Sequence, residues 1–272
     1  MHPPEPNRPS PPGAIAPSIV GLLGTTLDPE LAALVWLLVE GGVPLVVATP
    51  EHRERAGLEL LHAILGSIRS DDADASIEPG LDRPSAWALV HGHRPGAVVA
   101  APSLEALRNV LTAPPISLSP EELTFLGCVL VLDAPDGRAA GRLRVTAAHY
   151  VRPLARDAHG HAQVLPPAVL ATWDARLGRY EHFAWGVLPE VAARLGRKAG
   201  DLEADLHHRR DDLAGLAAAR LTSLDEVRRL IAGYRVGYGQ GHGGHEEPHG
   251  QAPDGPSPDG GSPAGLEDHR PN

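Results

Sequence analysis

The chain of 272 residues contains one lysine, Lys198, although lysine and arginine together number 24. Chemistry that needs a lysine side chain is therefore confined to this single position. The chain also contains one cysteine, Cys128, which excludes an internal disulfide bond and favours a packing role in a reducing compartment. Aromatic residues make up only 4% of the chain. Because buried aromatics dominate packing, all four tryptophans are predicted to be core anchors: Trp36, Trp87, Trp173 and Trp185.

Long apolar runs and an excess of basic residues are also missing. No run is long enough to cross a membrane, and the amino-terminal sequence lacks the charged-then-apolar order of a signal peptide. The formal net charge of -10 argues against a surface for nucleic acid. We therefore expect a cytoplasmic protein that binds no nucleic acid and has no transmembrane segment.

Composition divides the chain into three parts. Both ends are poor in large apolar residues and rich in Pro, Gly or His, whereas the middle is apolar enough for one sizeable core. We predict a disordered Pro-rich tail over residues 1–17 and a disordered His/Gly/Pro-rich tail over residues 236–272. The part between them, residues 18–235, is predicted to be one α/β domain.

The first elements of that domain have clear local signals. Asp28 and Pro29 are an N-cap and a first-turn proline, and they predict a helix that ends before Gly41. Residues 43–48 form a short, continuous, β-branched run that predicts a buried strand. Leucine and isoleucine then recur at helical spacing from residue 58 to residue 68. Helix, buried strand and helix in this order favour an α/β sheet.

Further elements follow from the same kinds of signal. Residues 70–84 are acidic and contain Pro and Gly, which predicts a loop. Ser119 and Glu122 have the spacing of a capping box, so a helix is predicted to start there. The predicted strands are residues 97–101, 128–132, 142–150, 169–173 and 180–185, with Asp136-Gly137 as a hairpin turn. The remaining predicted helices are residues 103–111, 191–195, 201–219 and 223–234.

Several segments, taken in order, resemble one family. Residues 92–101 read Gly-His-Arg-Pro-Gly-Ala-Val-Val-Ala-Ala, residues 103–106 read Ser-Leu-Glu-Ala, and residues 111–116 read Leu-Thr-Ala-Pro-Pro-Ile. Downstream, residues 170–174 end in Trp-Asp and a predicted strand follows. The order is similar to that in the ATPases that drive type II and type IV secretion, type IV pili and archaella. The resemblance covers roughly residues 27–234.

The resemblance implies a RecA-like P-loop NTPase-type sheet, reduced, with a C-terminal helical segment. Its phosphate-binding loop would fall on residues 49–57, Thr-Pro-Glu-His-Arg-Glu-Arg-Ala-Gly. A working loop of this kind needs glycines, a lysine and a hydroxyl residue on magnesium, whereas here Glu51 and Glu54 would repel phosphate. The position of the family's conserved histidine falls on Ala100. The stretch between residues 49–57 and Gly92 is also too short for the family's Walker B strand. No catalytic residue is therefore assigned.

The leading hypothesis is a non-catalytic protein, similar to secretion or pilus motor ATPases, that acts through protein contacts. Its partners would be active paralogous ATPases in an oligomer, or a membrane platform protein. An alternative is retained binding of ATP and magnesium, or slow turnover, at a vestigial loop made of Thr49, His52, Arg53 and Arg55. The competing interpretation of these four residues is a solvated loop.

A third hypothesis is a metal-binding accessory protein. Its zinc or nickel ligands would be His242, His245 and His249, although the flanking Gly and Pro supply no supporting contacts. The histidine pairs at residues 91 and 93 and at residues 159 and 161 are predicted to face solvent. The charged run at residues 209–212 is predicted to be a solvated helix face.

Overall fold

A mixed sheet of six strands organises the computed structural model, which describes residues 17–69, 77, 79–135, 143–156 and 159–241. The predicted turn at Asp136-Gly137 lies outside these residues. The strands are β1 Leu45–Thr49, β2 Gly96–Ala100, β3 Cys128–Asp133, β4 Arg144–Tyr150, β5 Ala155–Arg156, β6 Ala162–Gln163, β7 Ala168–Asp174 and β8 Arg179–His182. The α-helices are α1 Pro29–Glu40, α2 Glu54–Ile68, α3 Arg83–Val90, α4 Leu104–Thr112, α5 Pro120–Leu123, α6 Leu188–Arg194, α7 Ala199–Ala218 and α8 Leu224–Gly241.

Helix α1 is the central helix of the core. It begins as predicted, because the Asp28 side chain accepts a hydrogen bond from the Leu31 amide at 2.9 Å and Pro29 takes the first helical position. Every residue from Leu31 to Val39 is buried. A helix that is apolar all round belongs in an interior, and α1 accordingly packs against both α2 and α7.

The first half of the sheet is parallel. Its strand order is β2-β1-β3, and β1 pairs in parallel with both neighbours. Alternate residues of β1 face opposite sides, since Val47 belongs to the core cluster with α1 and α2 whereas Val46 belongs to the cluster with α3, α4 and α5. The connections that follow β1 and β2 therefore lie on opposite faces of the sheet.

The second half of the sheet is antiparallel. Its strand order is β3-β4-β7-β8, and each strand pairs directly with the next. The short strands β5 and β6 lie between β4 and β7 in the chain and form a separate two-stranded sheet. Cys128 is buried in β3, as predicted for a packing residue. Trp185 was expected to end a strand, but β8 stops at His182 and a 3₁₀ helix, Ala184–Gly186, takes over.

Helix α3 occupies residues that the sequence placed partly in a loop. The Asp82 side chain accepts a hydrogen bond from the Ser85 amide at 2.9 Å, and Pro84 lies in the first turn. This is the same cap-and-proline signal that starts α1, so the loop prediction for residues 83 and 84 was wrong. Trp87 on this helix is 47% exposed.

The tryptophan prediction holds for only part of the set. Trp36 is fully buried, whereas Trp87 and Trp185 are about half exposed. The prediction that both exposed tryptophans anchor the core was therefore wrong. Trp87 instead stacks on two histidine rings, those of His91 at 4.1 Å and His93 at 5.7 Å between ring centroids.

These elements confirm an α/β fold class with a mixed six-stranded sheet; the RecA-like arrangement stays a prediction. Among the described helices, none combines the length and the apolar character that a membrane crossing needs. The described residues up to Tyr234 belong to one compact unit. The three-part division of the chain into tails and domain also stays a prediction.

Candidate functional site

The connection between β1 and α2 occupies the place where an α/β sheet offers a ligand site. It consists of residues 50–53, at the carboxyl end of a strand flanked by two parallel neighbours. Because the chain leaves β1 and β2 toward opposite faces, a crevice is expected between their carboxyl ends. The sequence prediction of a vestigial phosphate loop therefore falls at a structurally suitable position.

Thr49 does not present its hydroxyl to this crevice. The residue is fully buried, and no described group forms a hydrogen bond with Oγ1. A Cβ atom at Gly57 would lie 3.4 Å from Cγ2 of Thr49 and 2.7 Å from Cγ1 of Val98, so α2 passes very close above the strand ends. Thr49 is thus enclosed beneath the helix, so its side chain does not belong to a solvated loop, which was the competing interpretation.

The other three predicted residues form a tight turn and the start of α2. The amide of Arg53 donates to the carbonyl of Pro50 at 3.1 Å, and His52 has a left-handed backbone with φ of 68°. His52 is exposed and Arg53 is partly buried. Arg55 is 92% exposed at its side chain, and its Nε lies 3.3 Å from Oε1 of Glu59 one turn along the helix.

The charges at this turn work against an anion. Glu51 is exposed in the connection, and Glu54 lies in the first turn of α2, where its carboxylate complements the positive end of the helix dipole. Arg55 already has a carboxylate neighbour. The residues of this turn do not provide the lysine or the accessible hydroxyl that phosphoryl transfer by a P-loop uses.

The predicted metal ligands His242, His245 and His249 lie outside the described residues, and their metal site stays a prediction. Within the part of the chain that the structure describes, no three His, Cys, Asp or Glu side chains are grouped to hold a metal ion. The other histidine pairs, at residues 91 and 93 and at residues 159 and 161, are exposed, as predicted.

A buried polar cluster between α1, α7 and α8 was not predicted. Asp205 is only 1% exposed and accepts hydrogen bonds from Nε of Arg209 at 2.8 Å, from Nη1 of Arg197 at 2.5 Å and from the hydroxyl of Tyr234. Burial alone would raise the pKa of Asp205, but these donors outweigh it and lower the pKa. Through this carboxylate, α7 is joined to α8 and to the segment that precedes α7.

Arg209 lies at the centre of the same cluster. It is 4% exposed, its guanidinium carbon is 4.4 Å from the ring centroid of Trp36 and 4.9 Å from that of Tyr234, and it forms an ion pair with Glu40. The prediction that residue 209 belongs to a solvated face was therefore wrong. Arg209 lies on the same buried face of α7 as Leu202, Leu206 and Leu213, a spacing that can be found in the sequence. The sequence alone does not show that Glu40 and Asp205 are its partners.

No protein-family model matches the chain, and no curated protein matches it. The resemblance to secretion and pilus ATPases accordingly rests on the segments quoted from the sequence and stays a prediction.

Proposed function

We propose that the chain is a non-catalytic relative of the secretion and pilus motor ATPases that acts through protein contacts. The observation that supports this most is the connection between β1 and α2. It has four residues, 50–53, where the family would need a longer glycine-rich loop with a lysine. The chain's one lysine, Lys198, is instead the N-cap residue of α7.

The proposal includes a reduced RecA-like sheet. Three adjacent parallel strands, a helix that directly follows the central one, and helices on both faces of this half are in line with it. The antiparallel strands β4, β7 and β8 would then be the part in which the chain departs from a fully parallel arrangement. In this proposal, the helices α6, α7 and α8 are the C-terminal helical segment that the resemblance implies.

Exposed aromatic side chains support a role in protein contacts. Phe183 and Trp185 are 49% and 44% exposed, and both belong to the short turn that follows β8. We call these two residues the aromatic turn. Aromatic residues are enriched at protein interfaces, and the chain has only two phenylalanines, the other being Phe125 at 45% exposure. The partners proposed for this surface are an active paralogous ATPase or a membrane platform protein.

The nucleotide part of the proposal is tested by calorimetric titration of the full-length protein with ATP and magnesium, together with an assay of phosphate release. We expect no heat of binding and no hydrolysis. The double variant Arg53→Ala/Arg55→Ala is the matched control. Binding that is present in the wild type and lost in this variant would instead support the alternative, a nucleotide-binding protein, and magnesium-dependent hydrolysis would overturn the proposal.

The contact part is tested by co-elution with a purified paralogous motor ATPase and, separately, with a platform protein. The variant Phe183→Ser/Trp185→Ser is expected to abolish co-elution with the partner that the wild type binds. Val110→Ser removes a similarly exposed apolar residue from α4, at 39% exposure, and should leave co-elution unchanged. Equal binding by both variants would exclude the aromatic turn as the contact surface.

A further inference from the structure

Strand β8 is one edge of the six-stranded sheet, and some of its backbone groups face away from the sheet. The amide of Phe183, directly after the strand, donates to a carbonyl of β7 at 2.8 Å. Hydrogen-bonded pairs alternate along an antiparallel ladder, so Arg179 and Glu181 also bond to β7. The N–H and C=O groups of Tyr180 and His182 therefore point outward. Within the part of the chain that the structure describes, no group forms a hydrogen bond with them, so they can pair with a further strand.

The side chains of β8 divide into a packed side and an exposed side. Tyr180 is 8% exposed, and His182 is partly buried against Asp28. Arg179 and Glu181 are exposed, and they lie together on the other side of the strand because they are two residues apart. Among the described residues, none forms a salt bridge with either of them. The exposed side of the edge strand thus carries one charge of each sign.

The order of these charges selects one way in which two copies of β8 can pair. Antiparallel copies related by a two-fold axis can be centred on any residue of the strand. A centre on Arg179 or on Glu181 would place that charge opposite its own copy, which is destabilising. A centre on His182 would pair Tyr180 with residue 184, where a 3₁₀ helix has replaced the strand. A centre on Tyr180 instead places Arg179 of each copy opposite Glu181 of the other, so the strand is complementary to itself in this register.

We propose that the edge of β8 is a surface through which two copies of this chain associate, as an antiparallel pair centred on Tyr180. Tyr180 of each copy exchanges two backbone hydrogen bonds with its counterpart, and the two sheets become continuous. The same register brings Leu177, which is 57% exposed, next to Phe183 of the other copy, which is 49% exposed. Because β8 has only four residues, the contact is small and the association is weak and reversible.

This association goes beyond the proposed function, because it needs neither a motor ATPase nor a nucleotide. Phe183 also belongs to the aromatic turn, so a partner protein bound there and a second copy of the chain would compete for the same edge. Self-association is measured on the pure protein, whereas the proposed function is measured by co-elution and by titration with ATP. The failure of one therefore does not imply the failure of the other.

Sedimentation velocity of the full-length protein at increasing concentration, up to millimolar, tests the pairing. We expect the wild type to dimerise reversibly. Arg179→Glu and Glu181→Arg each replace two attractive pairs by two repulsive ones, and each should weaken dimerisation by about 10-fold. The double variant Arg179→Glu/Glu181→Arg restores opposite charges in the same register and should dimerise like the wild type. Arg108→Glu, at an exposed arginine on α4, changes the net charge as Arg179→Glu does and should have no effect.

Hydrogen exchange locates the contact on the chain. The amide of Tyr180 should exchange more slowly as the wild type dimerises, because it gains a bond to the other copy, whereas the amide of Glu181 is bonded within the sheet at every concentration. Thermal melts verify that each variant folds. The proposal is overturned if the wild type stays monomeric at millimolar concentration, or if a dimer forms without protection of Tyr180. It is equally overturned if the double variant dimerises as weakly as the single variants.

Discussion

The carboxylate of Asp28 contacts the side chain of His182 while it caps α1. Its Oδ2 lies 2.8 Å from Nε2 of His182 at the end of β8, and its Oδ1 accepts from the amide of Leu31. Glu30 lies on the other side of the ring, with Oε1 4.0 Å from Nδ1. Burial alone would lower the pKa of His182, but the hydrogen bond and charge of Asp28, together with Glu30, raise it above its usual value.

This relationship predicts a pH dependence of stability. Because the pKa of His182 is higher in the folded state, its contribution is fully present below the unfolded pKa of about 6.5 and is lost as pH rises through the folded value. We expect His182→Gln to reduce the free energy of unfolding by roughly 1 kcal/mol near pH 6 and by less near pH 8. Urea unfolding across this range measures it. His62→Gln, at an exposed histidine on α2, is the control and should show no such trend.

A second prediction concerns two glycines on the same helix. A Cβ at Gly57 would be 2.7 Å from Cγ1 of Val98, a stiff side chain in a buried strand. Gly57→Ala should therefore destabilise the protein by about 1–3 kcal/mol through overpacking. At Gly66 the nearest atoms are 3.8 Å away, so Gly66→Ala should stabilise by about 0.5–1 kcal/mol through helix propensity. Unfolding midpoints that move in the same direction for both variants would contradict the close approach of α2 to the sheet.

A third prediction concerns the buried carboxylate between the C-terminal helices. Asp205→Asn leaves Arg209 buried without its anionic partner on the same helix, and should cost about 3 kcal/mol or more in the free energy of unfolding. Asp211→Asn removes an exposed carboxylate that pairs with Arg210, and should leave the free energy of unfolding nearly unchanged, because water screens an exposed ion pair. Denaturant unfolding at neutral pH compares the two; similar costs would refute the structural role of Asp205.

The same residue sets a response to acid. The pKa of Asp205 is lowered in the folded state, so its contribution is present above the unfolded pKa and is lost as pH falls through the folded value. The wild type should therefore lose more stability than Asp205→Asn when the pH falls from about 5 to about 3. Circular dichroism melts over this interval measure the difference, and parallel curves would rule out the carboxylate as its source.

A fourth prediction concerns the turn before α2. His52 has a left-handed backbone, which costs a residue with a side chain about 1–2 kcal/mol, whereas glycine adopts it freely. Glycine loses more backbone entropy on folding than histidine does, and this loss offsets part of the gain. His52→Gly should therefore increase the free energy of unfolding by roughly 0.5–1 kcal/mol. His52→Val should be destabilising. If thermal melts rank the two variants the other way, the turn has a different backbone in solution.

The elements that the sequence predicted correctly have local causes. Asp28 with Pro29 and Ser119 with Glu122 each satisfy helix amides within a few residues, so their positions could be found without knowledge of the fold. The missed start of α3 had the same kind of signal at Asp82, but its acidic surroundings favoured the loop interpretation. Boundaries that depend on local hydrogen bonds are thus within reach of a single sequence.

Burial was predicted less well, because distant elements determine it. The sequence could place the candidate site between β1 and α2, but the enclosure of Thr49 depends on how closely α2 approaches Val98. Arg209 looked like a surface residue because its partners, Glu40 and Tyr234, lie far away in the chain. Likewise, the small number of aromatic residues in the chain could not show that Trp185 would be exposed. These properties arise from tertiary packing.

The strand order β2-β1-β3-β4-β7-β8 has a consequence for the folding pathway. The antiparallel pairs β3 with β4 and β7 with β8 join neighbours along the chain, so closing them costs little loop entropy. Pairing β1 with β3 instead requires residues 45 and 128 to meet, with β2 added on the other side. Since long-range parallel pairing is slow, we expect the C-terminal strands to associate first and to provide the edge on which β1 then docks. The amino-terminal half, which carries the connection between β1 and α2, would be the last part of the sheet to become ordered.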